Sequence, residues 1–204
     1  MTLLLIRHGE TVLNASHILQ PADTPLSARG LSQARELATR VAAMDARGIL
    51  TSDLPRALQT AEAIADTTGL RITTSNLLRE RNFGEWRGRP HGSFGFDPLT
   101  HMAAPPGGES QTRFAQRVAQ AWAHVLRTRT ALNGLLVIVT HGLLLRELFR
   151  TWLNLDCAMP APMHFANTGI SLLEFEPPHA VTLFDCTQHL TDTDSDTTHA
   201  LSGG

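Results

Sequence analysis

The chain contains no lysine, so all 17 of its basic residues other than histidine are arginines. This absence excludes the catalytic devices that need a side-chain amine: a P-loop lysine, a kinase-type strand lysine, a Schiff base and a serine–lysine dyad. Tyrosine is also absent, which excludes a phenol as an acid or base. Any anionic ligand must therefore be held by arginine and histidine.

Cysteine and long apolar runs are equally scarce. Neither Cys157 nor Cys186 lies in a CxxC setting, so we expect buried thiols, no zinc site and a reducing cytoplasm. No apolar run approaches the roughly 20 residues that a membrane helix needs. The start of the chain has no basic segment before its first apolar run, so no signal peptide is predicted.

Length and charge limit the number of domains and the kinds of ligand that the protein binds. The 204 residues suit one domain, and the net charge of −2 argues against a nucleic-acid binder, which needs a basic patch. Positive charge for an anion must therefore be concentrated at one place in the fold.

Apolar runs and amphipathic segments alternate along the chain. Strands are predicted at 2–6, 48–51, 71–74, 135–139, 169–175 and 180–184, and helices at 26–44, 52–68, 110–129 and 142–152. Ser27 is predicted to cap the first helix, and Ser52–Pro55 is predicted to start the second with a capping residue and Pro55 in its first turn. This alternation predicts one three-layer α/β/α domain with a mostly parallel sheet over residues 1–186. The irregular segment 77–109 is predicted to form a small cap, and residues 187–204 a disordered tail.

Polar residues that can take part in catalysis or ligand binding follow the predicted strands. Arg7 and His8 follow the first strand, Arg56 lies in the helix after the second, Glu80 follows the third, and His141 follows the fourth. Ligands of open α/β sheets bind at the carboxyl ends of the strands, so these side chains are expected to converge on one pocket. For His8 itself the residue type leaves three roles open: nucleophile, general base or metal ligand.

Six motifs occur in order along most of the chain. They are Leu4–Thr11 with Asn14, Asp23–Ser27 with Gly30, Ser52–Ala57 with Gln59–Ala61, Leu78–Gly88, Pro106–Ser110, and Val139–Gly142. Together they resemble the histidine phosphatase superfamily, also called the phosphoglycerate mutase-like family. The resemblance implies a phosphoglycerate mutase-like fold and phosphoryl transfer through a histidine.

Carried over by position, the resemblance implies that His8 is the nucleophile that accepts the phosphoryl group. Arg7, Arg56 and His141 would bind the phosphoryl oxygens, and Glu80 would protonate the leaving oxygen and later activate water. These groups could supply the positive charge that other enzymes take from Mg²⁺, so no metal or cofactor is expected.

The remaining site residues are predicted with alternatives. Asn14 matches a position that helps to hold the phosphoryl group, and Gly142, directly after His141, is expected to contact substrate as well. Arg81 either contacts substrate or forms a surface ion pair. Glu85 lies close enough in sequence to Glu80 to compete for the acid role.

The reaction is predicted to be hydrolysis of a small phosphomonoester. A mutase is the alternative, but the insert Pro90–Pro106 contains none of the arginine or lysine that would hold a reorienting intermediate. A non-catalytic protein that binds phosphorylated ligands is a further alternative. The segment Gly92–Phe96 is expected to give the pocket apolar walls, and a homodimer through edge strands or residues 159–163 stays open.

Overall fold

Six segments of the chain form one sheet in the computed structural model, which describes residues 2–132, 134–153 and 163–191. The strands are β1 (Thr2–Arg7), β2 (Ala46–Ser52), β3 (Ile72–Ser75), β4 (Leu135–Thr140), β5 (Ile170–Glu174) and β6 (Val181–Cys186). Their order across the sheet is β3-β2-β4-β1-β5-β6. Every predicted strand is present, with ends shifted by no more than two residues.

Strand direction divides the sheet into two parts. β3, β2, β4 and β1 run parallel, so their carboxyl ends lie along one edge. β5 and β6 add an antiparallel edge next to β1. Because Arg7 is opposite Thr140 in the β1–β4 register, the residues that follow these two strands emerge side by side.

The helices cover both faces of the sheet. They are α1 (Val12–Ala15), α2 (Ala28–Ala42), α3 (Pro55–Thr68), α4 (Gln111–Leu132) and α5 (Gly142–Thr151). Alternate side chains of β1 enter different cores: Leu3 and Leu5 pack with α4 and α5, whereas Leu4 and Ile6 pack with α2 and α3. The predicted three-layer α/β/α class, with a mostly parallel sheet, is confirmed.

The two predicted helix caps have different outcomes. Ser27 caps α2, and its hydroxyl accepts a hydrogen bond from Gly30 N at 3.0 Å. For α3 the predicted first-turn position of Pro55 is confirmed, but the predicted cap is wrong, because Leu54 occupies the N-cap position and makes no side-chain hydrogen bond there. Ser52 is instead the last residue of β2 and is free for another partner.

The segment 77–109 contains short 3-10 helices at Gly84–Trp86 and His91–Ser93. Four of its aromatic rings pack together, those of Trp86, Phe94, Phe96 and His101, with neighbouring centroids 4.4–5.7 Å apart. None of the described helices is both long and apolar enough to cross a membrane.

The predicted tail begins differently from expectation. Residues 187–191 fold back onto α2, where His189 meets Arg40 and Thr191 N donates to Glu36 at 2.9 Å. The prediction of disorder is therefore wrong for 187–191, and its remainder, 192–204, lies outside the described residues, as do Cys157 and Met159.

Candidate active site

His8 and His141 lie side by side because each directly follows one of two paired strands. The backbone N–H of His8 donates to the carbonyl of Thr140 at 3.0 Å, which joins the two strand ends. The imidazole ring centroids are 5.1 Å apart, and both rings are fully buried. Two predicted site residues from distant parts of the sequence are thus in contact.

The hydrogen bonds of His8 determine where its proton lies. Nδ1 is 2.7 Å from the carbonyl oxygen of Gly9, which can only accept, so Nδ1 carries the hydrogen and Nε2 carries the lone pair. Nε2 is buried and has no hydrogen-bond partner among the described residues. Burial, followed by the charges of Arg56 and Arg7, holds the pKa of His8 well below its usual range, so the ring is neutral.

His141 has the same tautomer as His8, set by a different partner. Ser52 Oγ accepts from the backbone N–H of Leu54, so its own hydrogen is available to His141 Nε2, 2.8 Å away. This leaves the ring hydrogen on Nδ1, which is buried and has no hydrogen-bond partner among the described residues. Burial and then Arg56 hold the pKa of His141 well below its usual range, so a neutral ring presents one N–H donor.

Arg7 and Arg56 bring buried positive charge to the same place. Arg7 is the last residue of β1 and donates to the carbonyl of Phe165 at 2.5 Å, and Arg56 donates to that of Pro21 at 3.4 Å. Burial lowers the pKa of each guanidinium to about 10, which still leaves both charged at neutral pH. Two cations removed from water need a compensating anion.

Glu80 is the carboxyl group of this cluster. It is buried, and its two oxygens accept from the backbone N–H groups of Arg81 and Leu143, each at 2.9 Å. Burial raises the pKa of Glu80 against the opposing effects of these two hydrogen bonds and of Arg56 and Arg7. Glu85, the predicted competitor, is exposed on a short 3-10 helix, so the geometry favours Glu80 as the acid.

Asn14, a predicted site residue, shares Thr11 as a hydrogen-bond partner with Gln20, a residue that our sequence analysis does not identify. Both side chains are buried; the Thr11 hydroxyl donates to Gln20 Oε1 at 2.8 Å, and the Thr11 backbone N–H donates to Asn14 Oδ1 at 3.3 Å. The two amide oxygens are thereby occupied, while Asn14 Nδ2 and Gln20 Nε2 have no partner among the described residues. No helical or strand periodicity marks Gln20, which lies in the loop after α1.

Arg81 is predicted either to contact substrate or to form a surface ion pair, and the described part of the structure shows neither contact for it. All of its guanidinium donors are used inside the cap, at the carbonyls of Leu99, His101, Ala103 and Glu109 and at the side chain of Gln111. Arg81 therefore fixes the cap, while its backbone N–H holds Glu80.

The unpartnered polar atoms of the site share one property. Arg56 Nε, Asn14 Nδ2, Gln20 Nε2 and His141 Nδ1 are all buried N–H donors without a partner among the described residues. Leaving a buried donor unpaired costs about 1–3 kcal/mol, so such a group indicates a ligand rich in acceptors. Within the described residues, no group of three or more acidic, histidine or cysteine side chains could hold a metal ion. Gly142, the first residue of α5, is buried next to His141, and its substrate contact remains a prediction.

A cleft of about 770 Å³ borders the site at Glu80. Glu80 and Leu54 line it together with many polar side chains, among them Arg87, Arg113 and Gln116. Phe94 and Phe96, which are expected to give a pocket apolar walls, do not line this cleft; with Gly92 they line a second cavity of about 380 Å³ that also borders Arg146.

A neutral histidine with a free lone pair, next to buried arginines and a carboxyl group, is a set of groups suited to phosphoryl transfer. Comparison with known families agrees with this chemistry. Residues 3–184 match the family model described as "Histidine phosphatase superfamily (branch 1)". The chain belongs to this superfamily and is an enzyme of it, a histidine phosphatase.

Individual relatives carry more specific names. The chain is 34% identical, over 86% of its length and 86% of the relative's, to a protein of Yersinia enterocolitica named "Probable phosphoglycerate mutase". A mycobacterial glucosyl-3-phosphoglycerate phosphatase has a TM-score of 0.75 at 26% identity, covering 91% of this chain and 98% of that one. A phosphoserine phosphatase from Entamoeba histolytica, solved with phosphoserine, has a TM-score of 0.72 at 25% identity, covering 93% and 99%.

Proposed function

We propose that the protein hydrolyses a small phosphomonoester without a metal ion, through a phosphohistidine intermediate on His8. The observation that carries this proposal is the protonation of His8 and Glu80. The nucleophile has its lone pair on an unpartnered Nε2, and the raised pKa of Glu80 favours the protonated acid. A phosphatase of this type needs both at the start of the reaction.

In the first half of the reaction, Nε2 of His8 forms a bond to phosphorus as the ester P–O bond breaks. The proton of Glu80 passes to the leaving alcohol, so the product alcohol departs neutral and Glu80 becomes a carboxylate. Arg7 and Arg56 neutralise the charge on the equatorial oxygens, with further hydrogen bonds from His141, Asn14 and Gln20. Each charge-assisted bond contributes about 1.5–3 kcal/mol.

In the second half, water occupies the position that the alcohol left. The Glu80 carboxylate takes a proton from that water as its oxygen bonds to phosphorus and the P–N bond to His8 breaks. Inorganic phosphate leaves, and His8 and Glu80 return to their starting protonation states. The backbone bonds from Leu143 and Arg81 hold the carboxyl group in one place through both steps.

The test is hydrolysis of p-nitrophenyl phosphate in the presence of EDTA. We expect undiminished turnover with the chelator, and in His8→Ala a loss of at least about 10³-fold together with loss of the trapped phosphoenzyme. His124→Ala, which changes a half-buried histidine on α4, is the matched control and should retain both signals. Undiminished phosphoenzyme in His8→Ala, or full inactivation by EDTA, would contradict the proposal.

A mutase is the second candidate, because the relative from Yersinia enterocolitica bears a mutase name. The two reactions differ in whether phosphate is released. Incubation with 3-phosphoglycerate, with and without 2,3-bisphosphoglycerate, separates them. Isomerisation without net release of phosphate would replace the phosphatase proposal with a mutase.

We further propose a small phosphorylated metabolite as the partner and the cytoplasm as the location. The free thiol of Cys186 supports a reducing compartment. Neither nucleic acid nor membrane is proposed as a partner. A homodimer stays open, and much of the segment 159–163 lies outside the described residues.

A further inference from the structure

The cleft beside Glu80 continues along the amino-terminal part of α4. We name it the arginine groove and define it by Glu80, Arg87, Arg113 and Gln116, which all line it. Its volume of about 770 Å³ is larger than a phosphoryl group needs and suits a hydrophilic leaving group of several carbon atoms. Because Glu80, the proposed acid, lines it, the groove lies next to the position proposed for the leaving oxygen.

Two further arginines of the groove are already paired. Arg79 makes a two-point contact with Asp53 at 2.7 and 2.6 Å. Arg117 contacts Glu109 at 2.8 and 2.7 Å and also donates to backbone carbonyls. These two arginines hold the walls of the groove and have little left to offer a ligand.

Arg87 and Arg113 differ from them. Within the described part of the chain, neither guanidinium has a hydrogen bond or an ion pair, and Arg113 is exposed. Burial, followed by the nearby charge of Arg79, lowers the pKa of Arg87. The charge of Arg87 in turn contributes to the lowered pKa of Arg56. The negative charges of Glu109 and Asp23 raise the pKa of Arg87 and so offset part of this lowering. Neither carboxylate forms an ion pair with Arg87. The groove thus holds two uncommitted cations, Arg87 from the cap and Arg113 from the first turn of α4.

We propose that the arginine groove binds a second anionic group of the substrate, a carboxylate or a second phosphoryl group, through Arg87 and Arg113. The inference rests on the proposed phosphatase function and names its substrate class: polar phosphomonoesters whose alcohol part is itself anionic. Guanidinium groups suit both anions because their forked donors match paired oxygens.

The experiment compares substrates that differ only in the second anion. 3-Phosphoglycerate is set against glycerol 3-phosphate for a carboxylate, and fructose 1,6-bisphosphate against fructose 6-phosphate for a phosphoryl group. We expect kcat/KM to be at least about tenfold higher for the anionic member of one pair, mainly through KM. The pair that shows the preference identifies the anion, and the preference should fall with added salt.

Variants then assign the preference to the groove. Arg87→Gln and Arg113→Gln should each reduce the preference several-fold, while turnover of p-nitrophenyl phosphate, which has no second anion, changes less than twofold. Arg127→Gln is the matched control, because Arg127 is an exposed arginine of α4 that does not line the groove.

Failure of the inference is distinguishable from failure of the proposed function. Equal kcat/KM within both pairs, or a preference that survives in the double variant Arg87→Gln/Arg113→Gln, would overturn the second-anion subsite while p-nitrophenyl phosphate turnover still supports the phosphatase. Absence of hydrolysis of every phosphomonoester would instead count against the phosphatase itself.

Discussion

At the scale of single residues, burial acts on His8 and Glu80 in the same physical direction. It disfavours the charged form of each group, which lowers the pKa of His8 and raises the pKa of Glu80. Burial therefore favours the neutral form of each group, which has a lone pair on His8 and a proton on Glu80. An arriving dianionic substrate would raise the pKa of Glu80 further. Hydrolysis should decline as pH rises through the Glu80 pKa, because the acid then loses its proton.

Replacing Glu80 tests this assignment. In Glu80→Gln we expect kcat to fall about 10²–10⁴-fold for alkyl phosphates, which need a protonated leaving group, and much less for p-nitrophenyl phosphate. The decline of the alkyl phosphate rate at rising pH should also disappear. Glu85→Gln, at the exposed neighbouring carboxylate, is the control and should behave as wild type. A small, uniform loss across all leaving groups would contradict the acid role of Glu80.

At the scale of elements, the loop after β1 is positioned by its contact with the first turn of α2. The carbonyl of Glu10 accepts from Ser27 N at 2.9 Å, and the Ser27 hydroxyl lies 2.8 Å from Glu10 Oε1. Gly30 faces this loop so closely that a Cβ atom there would overlap the backbone of Glu10. The glycine that looks unfavourable in a helix is thus required by the loop that carries His8.

Gly30→Ala provides the corresponding test. In an open helix this change stabilises by up to about 1 kcal/mol, but here we expect the free energy of unfolding to fall by about 1–3 kcal/mol through overpacking. The displaced loop should also lower kcat. Thermal or urea unfolding measures the first effect, and Gly92→Ala is the control because a Cβ there meets open space. A more stable Gly30→Ala enzyme would show that the close contact is not rigid.

At the scale of the whole molecule, the last described segment, 187–191, closes over α2. Arg40 Nη1 lies 3.3 Å from His189 Nδ1 and 3.3 Å from the sulfur of Cys186, and His189 Nε2 is 3.1 Å from the Thr168 hydroxyl. Since Arg40 can only donate, His189 accepts at Nδ1 and must be neutral. Burial and then Arg40 lower the pKa of His189 to about 4.

This shift makes the molecule sensitive to acid. Because the unfolded chain binds the His189 proton more readily than the folded one, the free energy of unfolding should fall as pH decreases from about 6.5 to about 4. His8 and His141 are shifted in the same direction and add to the fall. In His189→Gln, we expect a shallower fall across this window, measured by urea unfolding at several pH values. The difference in free energy of unfolding between the two proteins at pH 7.5 gives the packing cost of the substitution. If the free energies of both proteins fall in parallel with pH, His189 is not the group responsible.

Local signals predicted most of the framework and the central residues. Apolar runs placed β1 and β4, and the motifs that end them placed His8 and His141. The residues that a local pattern could not reveal are those whose role depends on a distant partner. Ser52 meets His141 across 89 residues of sequence, and Gln20 shows no periodicity to separate it from any loop amide.

The sequence by itself determined the order of strands and helices and the residue types at the carboxyl ends of the parallel strands, because periodicity and turn chemistry are local properties. Only the tertiary structure decided which nitrogen of His8 is free, why Glu80 and not Glu85 is buried, and that Arg81 holds the cap. It also decided that Arg87 and Arg113 share a groove beside Glu80. Burial and hydrogen-bond partners arise from long-range packing, and these in turn set the proton positions on which catalysis depends.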